Sequence, residues 1–444
     1  MTGARPPFPL PLDELPAHAD EVVLALPDLD GRLQATRLDT TFFLEEVVPG
    51  GYGACSYLLA CDVEMDTGTG YAWSPEQEGF GDLRLRPDLT TLRCLPWDPR
   101  TALVLADAEW PGGGPVAAAP RTVLRAQLDR LAAMGMTAWC ATELEFLAFD
   151  TTYQQAWESS YHGLPAGSRF NVDYALVGTE GLEPLGRRIR QQMATAGMRL
   201  ESARAECHPG QYEIVFRYAE AMATCDQHVV YKTGAKQIAA QLGQALTFMA
   251  KYDEGEGNSC HVHLSLRDRD RGTPVLAGSP SMLRHFVAGQ TTYLPELMLL
   301  FAPHVNSYKR LQPGAFAPSA ASWGEDDRLC AVRTLGSGPA RRIEHRVAGG
   351  DANPYLVVAA ILAAGMQGIE ERLDPGPARV DGGDTPALPR SLDEAVDAFA
   401  ASGLAAKAFG IDVVDHLLAA ARAELAAFRR SVTDWERRRG FERL

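Results

Sequence analysis

A chain of 444 residues with 46% hydrophobic side chains has the apolar material for one large or two medium packed units, and needs no scaffold of cross-links. Its formal net charge is −15 and no Lys/Arg-rich block interrupts that balance, which argues against a nucleic-acid or anionic-membrane surface. No apolar run approaches the roughly 20 residues that span a bilayer, and the proline-rich opening Met1–Pro16 lacks the apolar stretch of a secretory signal.

Residues 1–20 are expected as a loose arm or a short capping helix. Short alternating segments follow at Glu21–Leu26, Leu33–Leu38, Tyr57–Glu64, Leu83–Leu85, Thr91–Leu95 and Ala102–Asp107. Turn chemistry separates them at Asp28–Gly31, Pro49–Gly51 and Asp66–Gly70. The pattern predicts a small β-rich domain over residues 1–112, ending in the linker Trp110-Pro-Gly-Gly-Gly-Pro115, and a second domain over 113–444. There the grammar changes. Arg121–Met134 reads as a helix closed by Gly135, and Pro184–Ala196 as a helix closed by Gly197. Each is followed by a strand that ends on carboxylates, one at Glu143–Phe149 and one at Glu206. A long helix over Asp226–Leu246 leads through Thr247–Lys251 into a strand around His261. Tyr355–Arg372 and Val413–Phe428 are helical in pattern, and Asp374–Pro389 reads as a surface loop. The class is α+β, with the strands of the larger domain lining a polar funnel.

Eight cysteines stand at 55, 61, 94, 140, 207, 225, 260 and 330 without a C-x-x-C pair, so neither a zinc ribbon nor a thioredoxin motif is supported. Cys140, Cys207 and Cys260 fall in apolar or strand-like runs and are expected as reduced core thiols of a cytoplasmic protein.

Four stretches alternate charged or imidazole side chains with apolar ones: Glu143-Leu-Glu145, Glu206 through Glu213, His261-Val-His263-Leu-Ser265, and Arg342-Ile-Glu344-His-Arg346. Residues two apart on a strand share a face, so the polar groups would point together. Five carboxylates, two imidazoles and two arginines on inner faces are costly unless compensated. Divalent metal together with a phosphorylated nucleotide supplies that compensation. The Pro-Gly turn between Glu206 and Glu213 lets two carboxylates converge, as hard Mg2+ or Mn2+ requires. Arg310, Arg328, Arg333, Arg342 and Arg346 fall among glycine- and proline-containing loops rather than at helical spacing, and guanidinium forks suit carboxylate and phosphate. No P-loop or G-x-G-x-x-G motif is present, so arginines and metals would have to hold the phosphates of ATP.

Taken in order, ELEF at 143, ECHPGQYE at 206, TFMAK at 247, SCHVHLSL at 259, NSYKRLQPG at 306 and RRIEHRVAGGDANPY at 341 resemble the glutamine synthetase family over most of the chain. The resemblance implies a small β-grasp-like domain followed by a barrel-like catalytic domain, in a ring-stacked homo-oligomer, a dodecamer. It implies two or three Mg2+ or Mn2+ ions per site. One ion falls to Glu145, Glu206 and Glu213, another to Glu143, His261 and Glu344. His263, Arg333 and Arg342, with Ser265 nearby, match positions that contact the nucleotide and its phosphates. Arg310, Arg328 and Arg346 match arginines around glutamate and the transferring phosphate, and Gly257 matches a loop glycine that contacts glutamate. The implied chemistry runs through γ-glutamyl phosphate, formed from glutamate and ATP and then attacked by an amine.

The departures sharpen the expectation. Ammonia-using members carry P-G-Y/F-E-A-P in the flap over the site; here it reads Pro313-Gly-Ala-Phe316-Ala-Pro318. A phenylalanine removes both an ammonium-binding charge and a general base. The Asn-Gly pair before the histidine strand has become Glu256-Gly257. These changes resemble the branch that joins glutamate to polyamines, ethanolamine or other amines. Asp62 and Glu206 are the candidates for removing the amine proton. Ordinary glutamine synthesis, a different acid substrate, or a non-catalytic relative are the alternatives.

Overall fold

The computed structural model describes residues 7–68, 70–73, 79–312, 314–379 and 385–444. The apolar run Val22–Leu26 makes β1 (Glu21–Pro27) an interior strand, buried along nearly its whole length. Its neighbours are β2 (Leu33–Asp39), β3 (Tyr52–Cys55), β4 (Asp82–Cys94) and β5 (Thr101–Glu109), in the order β2-β1-β5-β4-β3. β1 runs parallel to β5, and the other pairs are antiparallel. This is the arrangement expected of a β-grasp-like sheet.

Three details differ from the sequence expectation. Leu83–Leu85 and Thr91–Leu95 belong to one strand, β4, whose register shifts between Asp88 and Arg93. Pro87 has no N–H to give the ladder, and the Thr91 hydroxyl accepts the Leu105 N–H at 2.8 Å across the irregularity. Tyr57–Glu64 is not a strand. It begins with a 3₁₀ turn at Ser56–Leu59 and continues as a turn in which the Asp62 carboxylate accepts the N–H groups of Glu64 and Asp66 at 2.8 and 2.9 Å. Such local bonds compete with a ladder. The linker Trp110–Pro115 is a tight turn: the Trp110 N–H donates to the Gly114 carbonyl at 2.9 Å, and Gly113 and Gly114 take positive φ. The arm holds a short helix, Leu15–His18, and its first six residues lie outside the described ones, as do Thr69 of the Asp66–Gly70 turn and residues 380–384 of the 374–389 loop.

The second sheet is built around β6 (Met136–Phe149), which follows a helix at Pro120–Ala133. Its other strands are β7 (Leu200–Ala205), β8 (Gln211–Phe216), β9 (Ala219–Glu220), β10 (Ala245–Thr247), β11 (Cys260–Asp268), β12 (Trp323–Glu325), β13 (Val332–Leu335) and β14 (Arg342–His345). The order is β12-β13-β14-β11-β6-β8-β7, with β9 and β10 also paired to β6. The long helix spans Ala221–Gln241, earlier at both ends than the pattern suggested. A further helix, Pro280–Phe301, was not anticipated. It packs against Pro354–Glu370, and the contact has no room for side chains at its centre: a Cβ on Gly289 would lie 2.0 Å from the Ala364 carbonyl oxygen. Among the described residues no helix is long and apolar enough to cross a membrane, and all eight cysteines are free thiols.

The two sheets are clasped together by Arg121, which is 2% exposed. Its guanidinium meets Asp88 on β4 at 2.7 Å, Asp107 on β5 at 2.5 Å and Asp226 on the long helix at 3.0 Å. The Tyr355 hydroxyl donates to the same Asp226 at 2.7 Å.

Candidate active site

Strand register assembles the polar residues. Across β6 and β8, Glu145 faces Glu213; across β6 and β11, Glu143 faces His261. His263 on β11 faces Glu344 on β14, which in turn faces Arg333 on β13. The alternation seen in the sequence therefore becomes a polar row across one face of the sheet, while Leu144, Val262, Leu264 and Ile343 fill the opposite, buried side.

Two trios of ligand atoms result, each with its atoms within 4.8 Å of one another: Glu143, His261 and Glu344, and Glu145, Glu206 and Glu213. In the first, His261 Nδ1 lies 3.5 Å from Glu143 and 3.6 Å from Glu344. Burial alone would raise the Glu143 carboxyl, but hydrogen bonds and charge from His261 and His263 outweigh it and hold it well below the usual range. In the second, Glu145 accepts the Ser259 N–H at 2.8 Å, the Ser259 hydroxyl, and Gln211 Nε2 at 3.1 Å. Arg204 stands as counter-charge, 2.7 Å from Glu206 and 2.8 Å from Glu213. It does not suffice. Burial, then the nearby Glu145 charge, pushes Glu206 up to about 7; burial, then the Glu143 charge, pushes Glu213 up to about 9. Both Glu213 carboxylate oxygens are buried without a well-formed hydrogen bond. Three clustered, mutually repelling carboxylates served by a single arginine are the donor set a hard divalent cation satisfies, so the residues fit the Mg2+ or Mn2+ that the sequence leads one to expect.

The arginines close the cavity of about 440 Å³ above these trios, which is lined also by Gly257, Phe316 and Arg328. Arg333 donates to Glu344 at 2.9 Å, and Arg346 bonds the same carboxylate. Arg310 is buried and donates to the Ala348 carbonyl at 2.8 Å. Gly257 is required by that arginine, because a Cβ there would lie 2.7 Å from Arg310 Cγ and 2.3 Å from the Ala250 carbonyl oxygen. Of the flap, Pro313 lies outside the described residues, and Phe316 is 65% exposed at the cavity wall.

A second cavity of about 390 Å³ holds His263, Ser265 and Arg342, with Trp139, Tyr218 and Arg267 at its side. Glu143 lines both cavities. His263 bridges them, with Nε2 2.8 Å from Glu143 and Nδ1 3.1 Å from the Arg342 Nε. Three of the residues expected to meet a nucleotide, His263, Ser265 and Arg342, thus stand behind one shared carboxylate from those expected to meet the acid substrate, while the fourth, Arg333, lines the larger cavity.

Asp62 is not brought to either of these cavities. It lines a separate small cavity beside the first sheet, with Asp30, His304 and Glu424. Cys207, expected in the core, is half-buried at the wall of the larger cavity, because it lies in the turn after β7 and not in the strand itself. The pattern also missed Asp173, Tyr174, Arg204 and Gln211, all of which line the cavity. Arg204 had a signal, standing two residues before Glu206. Asp173 had none, since it falls in an irregular stretch with no period.

The raised carboxylates make a prediction. Glu206 and Glu213 hold protons more tightly in the folded chain than in the unfolded one, so their contribution to stability falls as pH rises toward about 7 and about 9. Buried His228 and His345, pushed down to about 3, act in the opposite sense only below the usual imidazole range. Metal relieves the carboxylates by displacing the protons. The gain in melting temperature on adding Mn2+ or Mg2+ to chelator-treated protein is therefore expected to grow from about pH 7 to about pH 9. A gain that stays flat or shrinks over that window would contradict the donor set.

Comparison with known proteins agrees with this geometry. Residues 117–440 match the family described as glutamine synthetase, catalytic domain. Over 98% of its length, and 96% of the relative's, the chain is 54% identical to gamma-glutamylethanolamide synthetase GlnA4 of Streptomyces coelicolor. It is 32% identical to the glutamate–isopropylamine ligase of a Pseudomonas species over 94% of each chain. Among solved structures, the GmaS/ADP complex superposes with a TM-score of 0.84 at 27% identity, covering 97% of this chain and 98% of that one.

Proposed function

The chain belongs to the glutamine synthetase family, and on that premise we propose that it is an ATP-dependent ligase joining the γ-carboxylate of glutamate to an organic amine rather than to ammonia. The observation that supports the reading is the clustering of the six expected ligand residues into two trios at a cavity whose flap carries Phe316 where ammonia-using members have a carboxylate.

The γ-carboxylate of glutamate attacks the terminal phosphorus of ATP, and ADP departs. The amine nitrogen then attacks the γ-carbonyl carbon, phosphate leaves, and the nitrogen loses a proton. In this scheme Arg310 and Gly257 hold glutamate, Arg328, Arg333 and Arg346 offset the charge that develops on the transferring phosphoryl group, and His263, Ser265 and Arg342 bind the nucleotide. The divalent ions, held by Glu143, His261 and Glu344 and by Glu145, Glu206 and Glu213, supply charge neutralisation when bound. Glu206, inside the cavity, replaces Asp62 as the carboxylate placed to receive the amine proton. A ring-stacked homo-oligomer is part of the same reading. Exposed apolar side chains support it: Trp157 at 71%, Leu176 at 92%, Trp435 at 67% and Phe441 at 87%.

Phosphate release from ATP with Mg2+ and glutamate, across ammonia, ethanolamine, putrescine, spermidine, isopropylamine and an aromatic amine, tests the proposal. Release with an organic amine and little with ammonia is the expected result, with the amide product confirmed by mass. Release with ammonia alone would make the protein a glutamine synthetase in spite of Phe316.

A further inference from the structure

The flap offers no carboxylate to an incoming amine, yet a primary alkylamine is largely protonated near neutral pH and needs a counter-charge. Most acids of the cavity are already engaged. Glu143 pairs with His261 and His263, Glu344 with Arg333 and Arg346, and Glu206 with Arg204, while Glu145 is saturated by Ser259 and Gln211. Two remain. Glu256 adjoins Gly257 and Arg310, at the end expected to hold glutamate. Asp173 stands elsewhere. Its carboxylate clusters with Glu206 and Cys207, the atoms within 4.8 Å of one another, in a trio separate from that of Glu145, Glu206 and Glu213. Among the described residues no Lys, Arg or His lies within ion-pair distance of it; the nearby Arg204 is turned to Glu206 and Glu213 and covered by the Tyr174 ring at 5.0 Å.

We propose that Asp173 is the substrate-binding acid that receives the ammonium end of the amine, in a cavity whose lining also offers the apolar side chains of Phe316, Ala317 and Leu329. The inference rests on the ligase reading and deepens it: the nucleophile is a primary amine whose charged end meets Asp173 and whose remainder meets apolar side chains. The Asp173 backbone N–H is fixed by Asn171 Oδ1 at 2.9 Å, and the Cys207 thiol donates to Asp173 Oδ2 at 3.3 Å, so the carboxylate is aimed before substrate arrives.

The test compares nucleophiles that differ in charge. Ethanolamine, methylamine and isopropylamine are cations near pH 7, whereas hydroxylamine is neutral and reports on the same acyl phosphate by forming γ-glutamyl hydroxamate. Asp173→Asn is expected to raise KM for the protonated amines about 10- to 100-fold. Hydroxamate formation, the KM values for ATP and glutamate, and the metal-dependent thermal shift should stay close to wild type. Asp173→Glu, which keeps the charge, should recover part of the amine affinity. An unchanged amine KM would overturn the proposal. So would a parallel fall with hydroxylamine, which would mark a structural role, or loss of the metal-dependent shift, which would mark a metal ligand. Wild-type protein that forms no hydroxamate from glutamate and ATP would fail the ligase reading itself, and the role of Asp173 with it.

Discussion

Glu145→Ala is expected to abolish ligase turnover and, with it, the thermal stabilisation that Mg2+ or Mn2+ gives the chelator-treated protein. Glu145 is 8% exposed and shares a trio with Glu206 and Glu213. Removing it takes a full negative charge from a site whose work is charge compensation, so a loss of at least about 1,000-fold is expected in kcat. It also leaves the Ser259 N–H and hydroxyl and the Gln211 amide without their acceptor, at about 1–3 kcal/mol of stability for each buried group left unpaired. Glu145→Gln keeps the volume and an acceptor oxygen, and so separates the two effects: it should fold almost as well and still fail in turnover. Phosphate release and melting curves with and without metal decide the matter, and a wild-type metal response in Glu145→Ala would remove this residue from the donor set.

Phe316→Glu is expected to move nucleophile preference toward ammonia. The ring is 65% exposed at the cavity wall, so a glutamate can take its place without burying a charge or opening a hole in the core. The carboxylate adds a charge-assisted contact for ammonium and a base close to the acyl phosphate, which should raise kcat/KM for ammonia about 10- to 100-fold. It also removes an apolar face that organic amines use, so their kcat/KM should fall. Absence of any gain with ammonia would show that the flap residue does not set the choice of nucleophile.

Much of the site was legible because strand alternation is a short-range rule. Once Glu143, His261, Glu344 and Arg333 are placed on strands, the ladder brings them together with no further information. The Glu206–Glu213 turn was legible for a similar reason, since Pro209 and Gly210 announce it. Legibility failed where local hydrogen bonds or tertiary burial overrode pattern. Asp62 was read as part of a strand, but its carboxylate caps its own turn, and that turn points to a different cavity. The Pro280–Phe301 helix was missed because much of its surface is buried against other helices, so no polar stripe marks its period, and Pro295 interrupts the run. Asp173 was invisible to pattern altogether, as its place depends on where an irregular segment comes to rest against β7 and its turn.

The Arg121 clasp bears on how the chain can be handled and how it can evolve. Two of the three acids it serves belong to the first sheet and the third to the helix behind β6. A cut at the Trp110–Pro115 turn would strip that guanidinium of two partners and leave only Asp226, while uncovering the face that the first sheet buries, so the isolated second fragment should be poorly soluble or unfolded. For the same reason the amino-terminal sheet is a poor candidate for exchange between relatives: a graft succeeds only if it carries acids at the positions of Asp88 and Asp107.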